Sequence, residues 1–515
     1  MKTNRTKNTI YNFISGMFGQ VLTMIMEFIV RTIFIQTLGK ELLGINGLFA
    51  NVVQMLSLAE LGVGTAILYK LYEPLAKKDE ERTRILLNFY KKVYYIIGIV
   101  VLVIGIILIP FLPDIISDYD SLKGLGINAI LIYLLFISKS LVSYFFFAYK
   151  SSIIRADQKE YKINIVSYFT EIGTAVLQII ILLVFKNYIF YVILAILKII
   201  IQNIINAILA NKMYTYINKK TNNKLSKKEV KEILKDCYAL FLYKINAVVL
   251  KATDNIVISA YLGLGMVALY SNYYILYNAI NLVLSKIFES VVHSLGNLHT
   301  THDFNHEHKI MRIVNFIAVM LGSLFGIGIM CVSNEFINAW IGSKWIISGT
   351  FSILMGIEVY TLSIRCYLSR YRTAMGLFQK AKYRPLIGMI INIIISILLV
   401  KKLGISGVLI GTIVADWATV VWYDPLIIYR YGLENKFSVV KYYIRNLKYL
   451  IIAFLIGIGC YMFCINLFTN LGWLSVIIHA MFCGIVVPVG FMLVFYNQEE
   501  VEGIFNIILK RKLKK

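Results

Sequence analysis

Long apolar stretches separated by short polar gaps follow one another along this entire chain. Most of them are close to the ~20 residues that an α-helix needs to cross about 30 Å of hydrocarbon. The pattern therefore predicts an all-α integral membrane protein with fourteen transmembrane helices. The apolar stretches lie near residues 9–36, 43–69, 93–112, 126–149, 163–185, 188–211, 236–262, 266–292, 313–333, 346–364, 385–400, 403–429, 449–468 and 473–496.

The gaps between these stretches alternate in charge. The two termini and the even-numbered gaps together hold forty of the 52 Lys and Arg residues. The odd-numbered gaps hold six, namely Lys40, Lys123, Lys186, Lys344, Lys401 and Lys402. Because basic loops remain on the cytoplasmic side of a membrane, this alternation predicts that both termini are cytoplasmic.

The composition agrees with a membrane protein. Apolar residues make up 59% of the chain, and almost nothing remains once the predicted spans are removed. The formal charge of +24 is mostly the positive-inside signal, since a nucleic-acid-binding protein would concentrate such charge on a folded soluble domain. We therefore expect no nucleic-acid partner.

The longest gap, 212–235, divides the chain into two similar halves. We predict an N-lobe of six spans at 1–211, a cytoplasmic linker at 212–235 and a C-lobe of six spans at 236–429. Residues 430–515 then supply spans 13 and 14 and a basic cytoplasmic tail.

A weak internal repeat supports the division into halves. Leu38-Gly39 aligns with Leu262-Gly263, and a short common pattern ending at Asn51 and at Asn272 follows each pair. An even number of spans in each half makes the repeat parallel, as in two-bundle transporters whose binding site lies between the halves.

Charged residues within the apolar stretches are candidates for function, because a charge in hydrocarbon is costly unless it faces protein or water. The cations are Arg31, Lys139, Lys198, Lys244, Lys251 and Lys286, with Arg365 at the inner end of span 10. The acids are Glu27, Glu60, Glu171, Asp254, Glu289, Glu358 and Asp416.

Helical spacing pairs some of these charges. Glu27 and Arg31 are four residues apart, whereas Lys251 and Asp254, like Lys286 and Glu289, are three apart. Such pairs are either structural or functional, and the spacing alone leaves both readings open. Long Lys side chains near span ends, such as Lys244 and Lys286, can also extend to the interface.

The excess of mid-membrane cations predicts a wet, positively charged central cavity suited to a phosphate group. The proposed substrate-binding residues are Arg31, Lys139, Lys198, Lys251 and Arg365. Asp416 has no residue of opposite charge near it on its own helix, so it is either a partner for a cation on another helix or a protonatable coupling site. The coupling or ion-pair group comprises Glu27, Glu60, Asp254, Glu358 and Asp416.

The sequence gives no sign of catalysis or of metal binding. The six cysteines are scattered, so we expect them to serve as small apolar residues. The histidines between His293 and His308 have no accompanying acidic or cysteine framework. No nucleophile elbow, phosphate-binding glycine loop or Walker sequence is present, so we expect neither an enzyme nor a cofactor.

Four segments give the chain a resemblance to a known family. ELLGINGLFANVVQMLSLAELGVGTAILYKLYEPLAKKDEERTRILLNFYKKVY (41–94) and FFFAYKSSIIRADQKEYKINIVS (145–167) resemble the first half of bacterial polysaccharide transporters, the Wzx-type flippases. The segments 242–274 and 375–429 resemble their second half. These transporters belong to the multidrug, oligosaccharidyl-lipid and polysaccharide exporter superfamily.

The resemblance implies a carrier in the bacterial cell membrane. Its substrate would be an undecaprenyl-diphosphate-linked oligosaccharide, moved from the inner to the outer leaflet for capsular or exopolysaccharide assembly by alternating access. It implies membrane lipids, a coupling ion (H⁺ or Na⁺) and glycan polymerase machinery as partners. The His-rich stretch 293–308 departs from the family, whose members usually carry charged residues there.

Two alternatives stay open. An ion-coupled multidrug antiporter of the same fold would need a cavity rich in acids and aromatic residues, because its substrates are cationic. A membrane glycan polymerase or ligase would need sizeable outside loops with catalytic residues. The excess of mid-membrane cations disfavours the first alternative, and the short outside gaps disfavour the second.

The predicted topology can be tested by labelling. In a cysteine-free background, Lys344→Cys and a cysteine near Lys123 should react with an impermeant maleimide in intact cells. Lys228→Cys should react only after permeabilisation, because its loop is cytoplasmic. Labelling at position 228 in intact cells would contradict the topology.

Overall fold

A computed structural model describes the backbone at residues 2–57, 60–116, 119, 122, 127–219, 221, 223–299, 303–377 and 379–504. Side chains are described at these positions except at 2–18, 21, 60–62, 65, 66, 236, 239–251, 290–299 and 379. Within these ranges the secondary structure is helical throughout, with no strand. The prediction of an all-α membrane protein is confirmed.

Sixteen α-helices are labelled here in chain order. They are α1 Lys2–Leu56, α2 Glu60–Lys77, α3 Glu80–Ile107, α4 Ala129–Phe145, α5 Ser151–Ala156, α6 Glu160–Val184, α7 Tyr188–Met213, α8 Lys227–Leu262, α9 Leu264–His299, α10 Phe304–Ile341, α11 Gly349–Ala374, α12 Arg384–Leu403, α13 Ile405–Asp416, α14 Trp422–Ile427, α15 Val439–Asn466 and α16 Trp473–Val494. A short turn at Leu112–Ile115 is also α-helical. π-Helical turns at Trp417–Val421 and Ile428–Gly432 follow α13 and α14.

The chain divides into two units, Met1–Ala268 and Leu269–Lys515. This boundary lies in α9, about thirty residues beyond the predicted linker 212–235. The lobe boundaries proposed from the sequence therefore stay predictions. Each unit is described below by itself.

In unit 1, α1 packs against α6 and α8, and α7 packs against both α4 and α6. A buried aromatic and aliphatic core joins α2, α3 and the segment around α5, with Tyr90, Tyr94, Tyr144 and Ile153 at its centre. The hydroxyl of Tyr90 donates to that of Tyr94 over 2.9 Å, which satisfies a polar group that burial would otherwise leave without a partner.

The start of α8 is fixed to this core. Ser226 caps the helix and forms a capping box with Glu229, and Ile233 packs into the core of unit 1. Arg82 of α3 forms an ion pair with Glu229. Hydrogen bonds from the backbone of Ser226, and then from Arg82, lower the pKa of Glu229 to about 2. The last part of the predicted linker 212–235 thus forms the first turns of a helix of 36 residues.

In unit 2, glycines allow neighbouring helices to approach closely. A Cβ added at Gly326 of α10 would lie 2.6 Å from the carbonyl oxygen of Gly356 on α11. α12 packs on α13 in the same way, since a Cβ at Gly411 would lie 2.3 Å from Oγ of Ser396. Small residues at such contacts are typical of helix packing in membranes, where the hydrophobic effect between helices is weak.

The hairpin of α15 and α16, which corresponds to predicted spans 13 and 14, packs on α10 within unit 2. Phe316 of α10 contacts the rings of Tyr449, Phe491 and Phe495. Aromatic pairs of this kind contribute about 0.5–1.5 kcal/mol beyond the area they bury.

Among the described residues, ten helices are long and apolar enough to cross a membrane. The number is eleven if α4 and the segment Ala148–Ala156, bent by 46°, form one span. The multi-pass character of the chain is confirmed, and the number fourteen stays a prediction. One difference concerns the predicted span 43–69, where the first helix ends at Leu56 and the second begins at Glu60.

Two glycines support the internal repeat. Gly39 interrupts α1 with φ 83° and ψ −176°, and Gly263 joins α8 to α9 with φ 85° and ψ 168°. These are the glycines that the sequence repeat aligns. Both adopt nearly the same conformation, in a region of φ and ψ that glycine alone populates readily.

We expect Gly39→Ala to destabilise the protein by about 1–3 kcal/mol, because a side chain is strained at this φ and ψ whatever the space around it. Gly173→Ala is the matched control, since Gly173 lies within helix α6 with nothing within 4 Å of an added Cβ. Thermal unfolding of the purified variants should show a lower midpoint for Gly39→Ala only. Equal midpoints would show that Gly39 carries no strain-dependent role.

Candidate functional site

Five charged side chains from four helices meet in unit 1. Nζ of Lys198 on α7 lies 2.6 Å from Oε2 of Glu171 on α6. Lys139 on α4 interacts electrostatically with both members of this pair, and Glu27 on α1 does so too. Tyr191 on α7 interacts electrostatically with Arg31, Glu27 and Glu171, which brings Arg31 to the same place. We call Glu27, Arg31, Lys139, Glu171 and Lys198 the unit-1 cluster.

An aromatic wall lies beside Arg31. Tyr191 of α7 interacts with the guanidinium of Arg31, and its ring stacks on Tyr188. Phe34, one turn after Arg31, contacts both rings edge-on. The hydroxyl of Tyr188 donates to Oδ1 of Asn46 over 3.2 Å.

The unit-1 cluster carries three cations and two carboxylates. One positive charge is therefore in excess when all five groups are ionised. The side chains of Lys198 and Glu171 keep 20% and 29% of their surface exposed, so they are not sealed into the protein. Lysine and arginine in such a setting bind phosphate oxygens by charge-assisted hydrogen bonds.

A second charged group lies in unit 2 and has the opposite balance. Arg365 on α11 forms an ion pair with Asp416 on α13, and its Nη2 lies 3.6 Å from Oε1 of Glu358. Tyr277 on α9 accepts from Nη2 of Arg365 at 2.7 Å and donates to Glu358 at 3.1 Å. We call Tyr277, Glu358, Arg365 and Asp416 the unit-2 cluster.

The unit-2 cluster has two carboxylates for one guanidinium. Glu358 and Asp416 are almost fully buried, at 1% and 3% exposure. With both carboxylates and the guanidinium ionised, this buried site carries one negative charge in excess. Arg365 thus pairs with acids here, and its place among the substrate-binding cations stays a prediction.

The helix that carries Arg365 extends beyond the predicted span. The apolar stretch ends near residue 364, which puts Arg365 at a span end, but α11 continues to Ala374. Hydropathy missed this last part because it is rich in arginine and polar residues. Asp416 has the partner on another helix that the sequence left as one of two options.

Other predicted residues lie elsewhere. The side chains of Glu60, Lys244, Lys251, His293 and His299 lie outside the described residues, as do Lys123 and His302 altogether.

Asp254 is buried on α8. The pair of Lys286 and Glu289 is confirmed at 3.5 Å, and both side chains are largely exposed. His308 stacks on Phe437 with 3.9 Å between the ring centres.

Sequence reasoning missed a third buried ion cluster, at the C-terminal end of α11. Oδ2 of Asp424 lies 2.9 Å from Nη1 of Arg384 and 3.5 Å from Nε of Arg372. All three side chains are buried. The sequence could have indicated this cluster, because Asp424 is an acid within the apolar stretch 403–429. Tyr277 carried no such signal, because tyrosines are common throughout this chain.

Comparisons with known proteins agree with this architecture. A family model described as "Polysaccharide biosynthesis protein" matches residues 7–293, more than half of the chain. No individually curated protein matches the sequence.

Solved structures share the fold at low sequence identity. The lipid II flippase MurJ, in an inward closed conformation, is similar with a TM-score of 0.64 at 15% identity, over 94% of this chain and 99% of that one. An inward-facing multidrug resistance MATE family transporter of the MOP superfamily is similar with a TM-score of 0.61 at 14% identity, over 81% of this chain and 96% of the other. The likeness shows a MOP-superfamily fold.

We expect Asp424→Asn to lower the thermal stability of the protein strongly. The change leaves two buried arginines without a counter-charge, and breaking such an ion cluster costs about 3–5 kcal/mol. Glu289→Gln is the control, because an exposed ion pair contributes only about 0–1 kcal/mol. Thermal unfolding in detergent would measure both, and a similar small shift in the two variants would contradict the role of Asp424.

Proposed function

Because this chain belongs to the polysaccharide biosynthesis protein family, we propose that it is a flippase for a polyprenyl-diphosphate-linked oligosaccharide. It carries this repeat unit from the cytoplasmic to the outer leaflet of the bacterial cell membrane, for capsular or exopolysaccharide assembly. Alternating access exposes the substrate site first to one leaflet and then to the other. Its termini are cytoplasmic, and glycan polymerase machinery takes up the product.

The observation that carries this proposal is the unit-1 cluster. A sugar-diphosphate headgroup cannot cross hydrocarbon without a replacement for its water shell. Arg31, Lys139 and Lys198 supply three cations on three helices of one unit, next to the tyrosine faces of α7. Cations bind the diphosphate oxygens, and aromatic and amide groups suit sugar rings, while the polyprenyl chain stays in lipid.

The membrane potential acts in the direction of export. A headgroup with a charge of about −2 moves toward the positive outer side and gains about 2.3 kcal/mol per charge for each 100 mV. The total of about 4–5 kcal/mol is enough to drive transport without ATP, for which the sequence has no binding motif.

The unit-2 cluster is the proposed coupling site. When it takes up one proton, its two carboxylates and one guanidinium reach electrical balance. Release of that proton leaves one buried carboxylate in excess. Arg365 is then the shared counter-charge of Glu358 and Asp416. The proton, rather than Na⁺, is the proposed coupling ion, because Arg365 already occupies the space between the two acids.

A multidrug antiporter of the same fold is the second candidate. The observation in its favour is the same unit-2 cluster, which is acidic, buried and lined by Tyr277. A cationic drug, however, would have to compete with Arg365 for both carboxylates. Drug resistance conferred by the chain in a sensitive host would favour this candidate over the flippase.

We expect Arg31→Ala, Lys139→Ala and Lys251→Ala each to reduce transport about 10- to 100-fold, as the loss of one charged hydrogen bond of about 1.5–3 kcal/mol predicts. Lys139→Arg should retain most activity, since it keeps the charge. The measurement is the fraction of lipid-linked oligosaccharide that reaches the outer leaflet in reconstituted vesicles. Lys286→Ala, at an exposed position, is the control. Normal transport in all three alanine variants would refute the cationic site.

We expect Asp416→Asn to make transport insensitive to an imposed pH gradient, because the amide mimics a permanently protonated acid. Glu289→Gln should respond to the gradient like the unaltered protein. Transport is measured in vesicles that carry either a pH gradient or a Na⁺ gradient, which distinguishes H⁺ from Na⁺ as the coupling ion. A full response of Asp416→Asn to the pH gradient would remove the unit-2 cluster from coupling and leave the substrate proposal intact.

A further inference from the structure

Four of the six cysteines of this chain come together in unit 2. The Sγ atoms of Cys331 on α10, Cys464 on α15 and Cys483 on α16 all lie within 4.8 Å of one another. Cys460, one turn before Cys464, forms an S–H···S hydrogen bond with Cys483. The sequence, in which these cysteines are widely spaced, predicted only small apolar residues, and the fold brings them to one place.

The cluster is buried and built from three helices. All four cysteines are 1–8% exposed. The α15–α16 hairpin places Cys464 and Cys483 opposite each other, and its packing on α10 adds Cys331. Water is excluded from the thiols, so hard ions that keep a hydration shell are disfavoured here.

The spacing of the sulfur atoms suits a bound metal ion. With a metal–sulfur distance near 2.3 Å, three sulfurs around one ion lie about 4.0 Å apart. The present separations, up to 4.8 Å, need only small side-chain rotations to reach that value. Three thiols in van der Waals contact without a metal also explain the burial, and binding experiments distinguish the two cases.

We propose that Cys331, Cys464 and Cys483 form a three-coordinate site for Cu(I). Thiolate ligands select soft ions, of which Cu(I) and Zn²⁺ are the common ones. Zn²⁺ requires four ligands in a closed site. Using all four cysteines for Zn²⁺ would leave a charge of −2 in an apolar bundle. One Cu(I) with two thiolates and one thiol carries only −1, and Cys460 is not a ligand.

The binding of Cu(I) to the three cysteines requires only the release of protons. Two S–H bonds break and two protons leave to solvent, while three Cu–S bonds form, two from the resulting thiolates and one from a lone pair of the remaining thiol, and no electron is transferred. The ion enters from the end of the hairpin, because Cys464 lies two residues before the end of α15 at Asn466.

The site would fasten the hairpin to α10. An ion that binds only the folded state stabilises it by about 2.7 kcal/mol at a free concentration of 100 times Kd. This inference is independent of the proposed transport, since none of the four cysteines belongs to the unit-1 or the unit-2 cluster.

The test uses the full-length protein, purified with reductant in detergent. Cu(I) is supplied from a chromophoric chelator of known affinity, and Zn²⁺ is titrated in parallel. We expect one Cu(I) per chain, a higher unfolding midpoint with Cu(I), and X-ray absorption from three sulfurs at about 2.3 Å. Cys464→Ala and Cys483→Ala should each weaken binding at least 100-fold. Cys237→Ala, at a buried cysteine of unit 1, should bind like the unaltered protein.

The X-ray absorption measurement needs no variant and so does not depend on whether the variants fold. Less than one tenth of an equivalent of Cu(I), or equal binding by the double variant Cys464→Ala/Cys483→Ala, would overturn the proposal. Stoichiometric Zn²⁺ with four sulfurs would overturn the three-coordinate assignment.

Discussion

The cost of a charge in hydrocarbon is the constraint on which the rest of this structure depends. An ion removed from water is tolerated only with a partner and further hydrogen bonds, and several of the buried ions here find a partner on another helix. Lys198 meets Glu171 across α6 and α7, Arg365 meets Asp416 across α11 and α13, and Asp424 lies between two arginines. Charge pairing therefore fixes which helices are neighbours.

The two functional clusters differ in what their charge balance permits. The unit-1 cluster has one cation in excess and partly exposed side chains, as a site for an anionic ligand requires. The unit-2 cluster has one carboxylate in excess, and its two carboxylates are buried whereas Arg365 is 25% exposed, which suits the proposed proton site. A transporter that separates these two tasks can bind a large headgroup without exposing its titrating acids to the sugar.

Hydropathy and charge predicted the fold class and most of the ions, because burial in lipid imposes a strong and local signal. The repeated glycines at 39 and 263 were visible in the sequence for a different reason, because a positive φ combined with an extended ψ restricts each position to glycine. Partners across helices were not predictable. Nothing on α7 alone pairs Lys198 with Glu171, and nothing in the spacing of the cysteines brings Cys331 to Cys483. Such contacts arise from packing, which a single chain pattern does not encode.

The π-helical turn at Trp417–Val421 has a consequence for the alignment of the acids. On α11, Arg365 and Arg372 are seven residues apart, so they lie on one stripe, within about 20° at 100° per residue. Asp416 and Asp424 are eight apart and in an uninterrupted α-helix would diverge by about 80°. The π turn absorbs one residue. The extra residue of the π turn therefore keeps Asp416 and Asp424 on one stripe, where they face Arg365 and Arg372. Deletion of one residue from this turn would leave the two acids seven residues apart in an ordinary α-helix, so they would stay aligned.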